Sequence, residues 1–173
     1  VAFHAGYYVG DTPEKVYSVM KEKIKEISKT LKEEGNKIWL RPEISGKPSQ
    51  FGNLQEVLKL SKEIEQVMPC IDFSHFHART NGKYNSYKEF CSILEEIEKS
   101  LGKQALKNIH IHTSGIEYGE KGEKHHLNLK ESDMNYGELC KVWKEFKISG
   151  VVISESPNIE GDALLMQKTY KGL

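Results

Sequence analysis

The chain carries seven histidines: His4, His75, His77, His110, His112, His125 and His126. Each falls in, or just after, a segment that reads as a strand, and none falls in a predicted helix. Glu43, Asp72 and Glu155 stand near the C-terminal ends of such segments. In parallel α/β folds that end of the sheet is where ligands bind. Imidazoles and carboxylates converging there are the donor types that zinc or manganese takes. A single strand histidine, or a single glutamate at a strand end, is ordinarily a satisfied structural group. Five successive strands delivering such groups to one end is different. Burying so many ionisable groups without a metal or a catalytic task costs several kcal/mol each.

Side-chain alternation sharpens the expectation. In Asn108–Thr113, Ile109 and Ile111 share one face, and His110 and His112 share the other. Arg41 and Glu43 share a face by the same rule, so Arg41 orients a carboxylate, binds a phosphate or closes a salt bridge inside the sheet. In Asp72-x-x-His75 the acid ends its strand and the histidine starts the following loop, so the two can serve neighbouring metals. The segment Gly115–Asp133 reads as a long charged loop holding Glu123, Lys124, His125 and His126. A carboxylate two residues before a histidine chelates one metal from a short segment, although an exposed His125 is an equal reading. Gly46–Gly52 lacks the GxxxxGK[ST] spacing and reads as a loop on the active rim.

These groups need elements to hold them. Strands are expected at residues 1–8, 37–43, 67–73, 108–113 and 150–155. Asp11–Thr12–Pro13 opens a helix with an apolar stripe of Val16, Met20, Ile24, Ile27 and Leu31, ended by Gly35. Asn53-x-x-Glu56 caps a helix over Leu54–Glu65. Ser86-x-x-Glu89 caps another, with Tyr87, Phe90, Cys91, Leu94 and Ile97 inward. Asn135-x-x-Glu138 caps a helix through Trp143 and Phe146, and a last helix runs through Leu164, Leu165 and Met166. Strands separated by helices imply parallel βαβ units, in an open doubly wound sheet or a (β/α)8 TIM barrel. No GxGxxG and no P-loop supports the open-sheet nucleotide binders.

Composition adds limits. There are 25 basic and 25 acidic residues and a net charge of zero, without the basic excess of a non-specific nucleic-acid binder. Only Arg41 and Arg79 break a run of lysines among the bases. No apolar run approaches the roughly 18–20 residues of a membrane span. Cys70, Cys91 and Cys140 are far apart, giving no disulfide framework, and point to a reducing cytoplasm.

In order, the segments FHAG (Phe3–Gly6), PEISG around Glu43, CIDFSH (Cys70–His75), IHIHTS (Ile109–Ser114), EKHH (Glu123–His126) and SESPN (Ser154–Asn158) resemble endonuclease IV. That is the zinc-dependent apurinic/apyrimidinic endonuclease family, within the xylose-isomerase-like barrels. The resemblance implies a (β/α)8 barrel holding up to three zinc ions, with manganese as an alternative, and cleavage of DNA beside abasic sites in repair. Carried over by motif, His4 is a ligand of the first metal and Glu43 bridges the first and second. Asp72, His110 and Glu155 complete the second, and His75, Glu123 and His125 hold the third. Glu43 and Glu155 are the catalytic candidates. Glu123 stands where the family usually has Asp, LNLKESD replaces a Gly-Glu-Gly stretch, and Arg41–Pro42 replaces an apolar pair. His112 stands where Asn is common and so competes with His110.

The strand count implies a single domain over residues 1–173, with only the last five βα units of the barrel and the first three strands missing. Val1 inside a strand fits a chain cut in mid-fold. The implied protein is a monomer when full length, with no membrane partner. Two other readings stand beside it: a metal-dependent sugar isomerase or epimerase on the same barrel, and a non-catalytic binding module.

Overall fold

The computed structural model describes residues 1–173. Five short parallel strands form its inner wall: β1 (Ala2–Phe3), β2 (Arg41–Pro42), β3 (Cys70–Asp72), β4 (Ile109–Thr113) and, after a hairpin, β7 (Gly150–Ser154). β1 pairs with β2, and β3, β4 and β7 form one ladder. Single bridges from Leu40 to Val67 and from Glu43 to Cys70 join the two groups. These strands therefore follow one another in chain order, as in a TIM-barrel wall. Their layer of helices comprises α1 (Pro13–Glu33), α2 (Leu54–Glu63), α4 (Tyr87–Leu101), α5 (Tyr136–Glu145) and α6 (Glu160–Gly172).

The helix starts follow from local chemistry. Thr12 accepts the Lys15 N–H and Pro13 occupies the first turn of α1. Asn53 and Glu56 close a reciprocal capping box on α2. Along α1, Val16 and Ile24 are buried as expected, but Ile27 is 48% exposed, and Tyr17 and Ser28 are buried in its place. The apolar stripe is thus rotated by a fraction of a turn. The main core lies between wall and helices. Phe73 sits edge-on to Phe90 at 5.8 Å and to Trp143 at 6.1 Å, among Ile71, Ile93, Leu94, Ile109 and Ile111. Such packing fixes the strands; truncating one of these aromatics costs about 3–5 kcal/mol.

Several elements depart from the sequence expectation. Residues Phe73–Arg79 form a short helix, α3, so His75 and His77 are helical after all. Asp72 is its N-cap, accepting the His75 N–H at 2.7 Å, and seven residues are too few to display a helical period. The expected loop at 115–133 contains an antiparallel hairpin, β5 (Gly115–Gly119) and β6 (Gly122–Leu127). The first strand is also shorter than the expected residues 1–8. No helix is long and apolar enough to cross a membrane.

Arg41 meets no carboxylate and closes no salt bridge. Its buried guanidinium donates to the carbonyls of Pro69 (3.3 Å) and Asn108 (3.0 Å) and to the Asn108 side chain. It laces the strand starts together, where burial lowers its pKa.

Candidate metal centre

The C-terminal ends of β2, β3 and β4, with the turn after β7, bring Glu43, Asp72, His112 and Glu155 to one place; α3 adds His75 and β6 adds Glu123 and His126. Glu43, Asp72, His75 and Glu155 each offer a donor atom, all within 4.8 Å of one another. The same holds for His4, Glu43 and His75, and for His75, His126 and Glu155. His75 is common to all three sets. Its Nδ1 lies 3.0 Å from the Ile44 carbonyl, 3.1 Å from Asp72 Oδ2 and 3.3 Å from Glu43 Oε1. Its Nε2 faces His126 Nε2 at 3.2 Å and Glu123 Oε2 at 3.6 Å. His126 is oriented from behind, its Nδ1 lying 3.1 Å from the Glu155 carbonyl oxygen. His4 is at the margin, with Nε2 4.0 Å from Glu43 Oε2 and Nδ1 3.2 Å from Ser45 Oγ.

Electrostatics mark the cluster as short of positive charge. Burial opposes ionising Glu43, but hydrogen bonds from His112 and His75 outweigh it and hold the carboxyl far below its usual range. Burial raises Asp72, which is fully inaccessible, and Glu155. Burial also disfavours the His75 cation, yet the charges of Asp72, Glu43 and Glu123 push its pKa up to about 10. His75 would serve as a metal ligand only when deprotonated. Asp72 Oδ2 is buried with no hydrogen-bond partner. Its 3.1 Å neighbour, His75 Nδ1, forms its hydrogen bond with Ile44 instead. An orphaned carboxylate oxygen grouped with Glu43, His75 and Glu155 fits a cation ligand.

Two expected ligands are placed elsewhere. His125 is exposed and meets Glu117 at 3.4 Å, on the outer face of the hairpin. The cause is a bulge: Glu117 pairs with His125, but Tyr118 pairs with Glu123, leaving Lys124 unpaired. The extra residue breaks alternation, so Glu123 faces inward together with His126 rather than with His125. His110 meets His112 rather than the carboxylates, their Nε2 atoms lying 3.2 Å apart. It is His112 whose Nδ1 reaches Glu43 Oε1 at 3.1 Å and Glu155 Oε1 at 3.2 Å.

The hairpin is held by residues that pattern reading missed. His77 Nε2 lies 3.2 Å from both Asp133 oxygens, and Tyr118 donates to Asp133 Oδ2 at 2.6 Å. Gly46 permits the approach of the other side: a Cβ there would overlap the Glu123 side chain and press on the His75 ring. Arg79 donates to the carbonyls of Ser45, Lys47 and Gln50 at 2.7–3.2 Å and so fixes the loop that carries Gly46. A separate cavity of about 490 Å³, lined by Trp143, Val152, Met166 and Tyr170 among others, includes none of the cluster residues.

A rim of carboxylates and imidazoles on consecutive parallel strands, able to hold a cation, places the chain in the class of parallel α/β barrels. A model of the xylose isomerase-like TIM barrel matches residues 1–170, and the chain belongs to that family. It is 47% identical over all 173 residues to an uncharacterized protein of Methanocaldococcus jannaschii, of which it spans 63%. It is 26% identical to a probable endonuclease 4 of Oceanobacillus iheyensis over 99% of this chain and 57% of the relative. Among solved structures it resembles endonuclease IV from Thermus thermophilus, with a TM-score of 0.65 and 17% identity, over 100% of this chain and 62% of that one. A D-psicose 3-epimerase crystallised with D-fructose matches with a TM-score of 0.53 and 17% identity, over 83% of this chain and 43% of that one. The chain thus spans roughly three-fifths of the curated relatives it matches.

Proposed function

We propose that this chain supplies most of the metal site of a phosphodiester hydrolase that cuts DNA at abasic sites, using zinc. The observation that carries the reading is the set of overlapping donor groups built on His75, one of which holds the unpartnered Asp72 oxygen. Similarity to probable endonucleases 4 along almost the whole chain supports the same substrate class. In this reading Glu43, Asp72, His75, His126 and Glu155 hold the ions, with His4 at one margin and Glu123 at the other. Ions held by these residues would supply Lewis-acid activation of water and neutralise phosphate charge.

The residues do the positioning. The Ile44 carbonyl faces His75 Nδ1 and the Glu155 carbonyl faces His126 Nδ1, so each ring turns Nε2 toward the other. Such outer partners fix tautomer and ring orientation. Glu43 spans the site, its Oε1 toward His75 and His112 and its Oε2 toward His4. An abasic nucleotide suits a pocket of this type, since extrusion from the duplex is easiest where no base is paired.

The test is incubation of the full-length protein with a duplex carrying one abasic site, with and without chelator. A zinc-dependent nick at the lesion is expected; a zinc-loaded protein that leaves the duplex intact overturns the reading. A second reading, proton transfer on a small sugar, is favoured by one observation. Glu43 and Glu155 both contact His112, yet their pKa values are driven in opposite directions, as in acid–base pairs. Turnover of a ketose by a protein inert toward abasic DNA is the outcome that selects it.

A further inference from the structure

We infer that Cys70, His110 and His112 form a separate site for a borderline-soft divalent cation, zinc or its cobalt(II) surrogate, one layer below the rim. Cys70 and His110 are register partners on β3 and β4, two residues before Asp72 and His112 on the same faces. One donor atom from each of the three lies within 4.8 Å of the others. The two Nε2 atoms are 3.2 Å apart. Two nitrogens bound to one tetrahedral zinc at about 2.0–2.1 Å stand about 3.3 Å apart, so no rearrangement of β4 is required.

His112 is held for this task from behind. Its Nδ1 lies 3.1 Å from Glu43 Oε1 and 3.2 Å from Glu155 Oε1. A hydrogen bond from Nδ1–H to the Glu43 carboxylate leaves Nε2 to offer its lone pair toward His110. This is the carboxylate–histidine–metal arrangement, in which the outer acid sets tautomer and ring orientation. Cys70 is fully buried, and its thiol proton would leave on metal binding, since thiolate is the ligating form. Three protein donors leave one tetrahedral position open, as in catalytic rather than structural zinc sites. The site sits beside the rim donors and shares Glu43 and Glu155 only as outer partners of His112.

Sulfur separates this site from the rim, whose donors are all nitrogen and oxygen. The experiment is X-ray absorption on the full-length zinc-loaded protein, paired with the near-ultraviolet spectrum of the cobalt(II) form. A sulfur scatterer at about 2.3 Å and a thiolate-to-cobalt charge-transfer band are expected. Cys70→Ser and His112→Asn, each checked for folding by circular dichroism, should lose both signals, and Cys91→Ser should keep them. A metal-loaded protein with only nitrogen and oxygen scatterers overturns this site and leaves the rim reading standing. A sulfur signal that survives Cys70→Ser also overturns it. Failure to bind any metal overturns both readings together.

Discussion

The Nε2 atoms of His75 and His126 lie 3.2 Å apart, joining α3 to the hairpin across the rim. This contact exists because one unpaired residue, Lys124, turns His126 inward and His125 outward. His126→Ala is therefore expected to weaken metal binding by more than about tenfold, the loss already typical of an outer-shell partner. His125→Ala should leave affinity unchanged. Titration with zinc against a competing chromophoric chelator measures both. Equal losses in the two variants would mean that the hairpin is registered differently in solution.

Glu43→Gln keeps the shape of the side chain and removes its charge. It replaces the charged oxygen shared by His75 and His112 with a neutral amide. The expected outcome is less bound zinc, counted by elemental analysis, and loss of cleavage. Unchanged metal content and activity would remove Glu43 from the centre of the site.

Arg41→Met should behave in the opposite way. The guanidinium satisfies three acceptors and touches no rim donor. Hydrogen bonds from a charged donor are worth about 1.5–3 kcal/mol, so a loss of that order in urea unfolding is expected, with metal stoichiometry kept. Loss of metal without loss of stability would contradict this role.

Acid sensitivity has a buried source away from the rim cluster. Asp162 accepts the Leu129 N–H at 2.6 Å and the Asn158 amide at 3.0 Å. Burial raises its pKa, but these hydrogen bonds win and depress it. A depressed folded pKa gives stability that is present above the unfolded value of about 3.9 and is lost as pH falls through the folded one. Asp162→Asn should therefore be less stable than the parent near neutrality, and the gap should narrow in acid. Urea midpoints along a pH series test this; a constant gap would exclude an ionic contribution.

Much of the architecture was legible in the sequence, and the reasons are local. Capping pairs such as Asn53 and Glu56 announce helices one residue from where they start. Strand-end acids such as Glu43 and Asp72 fall where parallel sheets collect ligands. The choice between His125 and His126 was not legible, because a bulge shifts the face of every residue beyond it without a composition of its own. The hairpin had a usable signal: Gly119 and Gly122 bracket a turn, and Ile116 and Tyr118 alternate before it. Alternation put His112 on the same face as His110 and could not choose between them; its contacts with Glu43 and Glu155 arise from strand pairing over long sequence separation.

The donors to the rim are scattered along the chain, from His4 to Glu155, and no single segment holds a complete set. An ion held there, as proposed, would have affinity for the assembled wall and little for the open chain. Its binding would then be a term in the folding equilibrium, worth about 2.7 kcal/mol at a free concentration one hundred times Kd. Zinc supply would then set how long this protein survives heat or proteolysis as well as how fast it works.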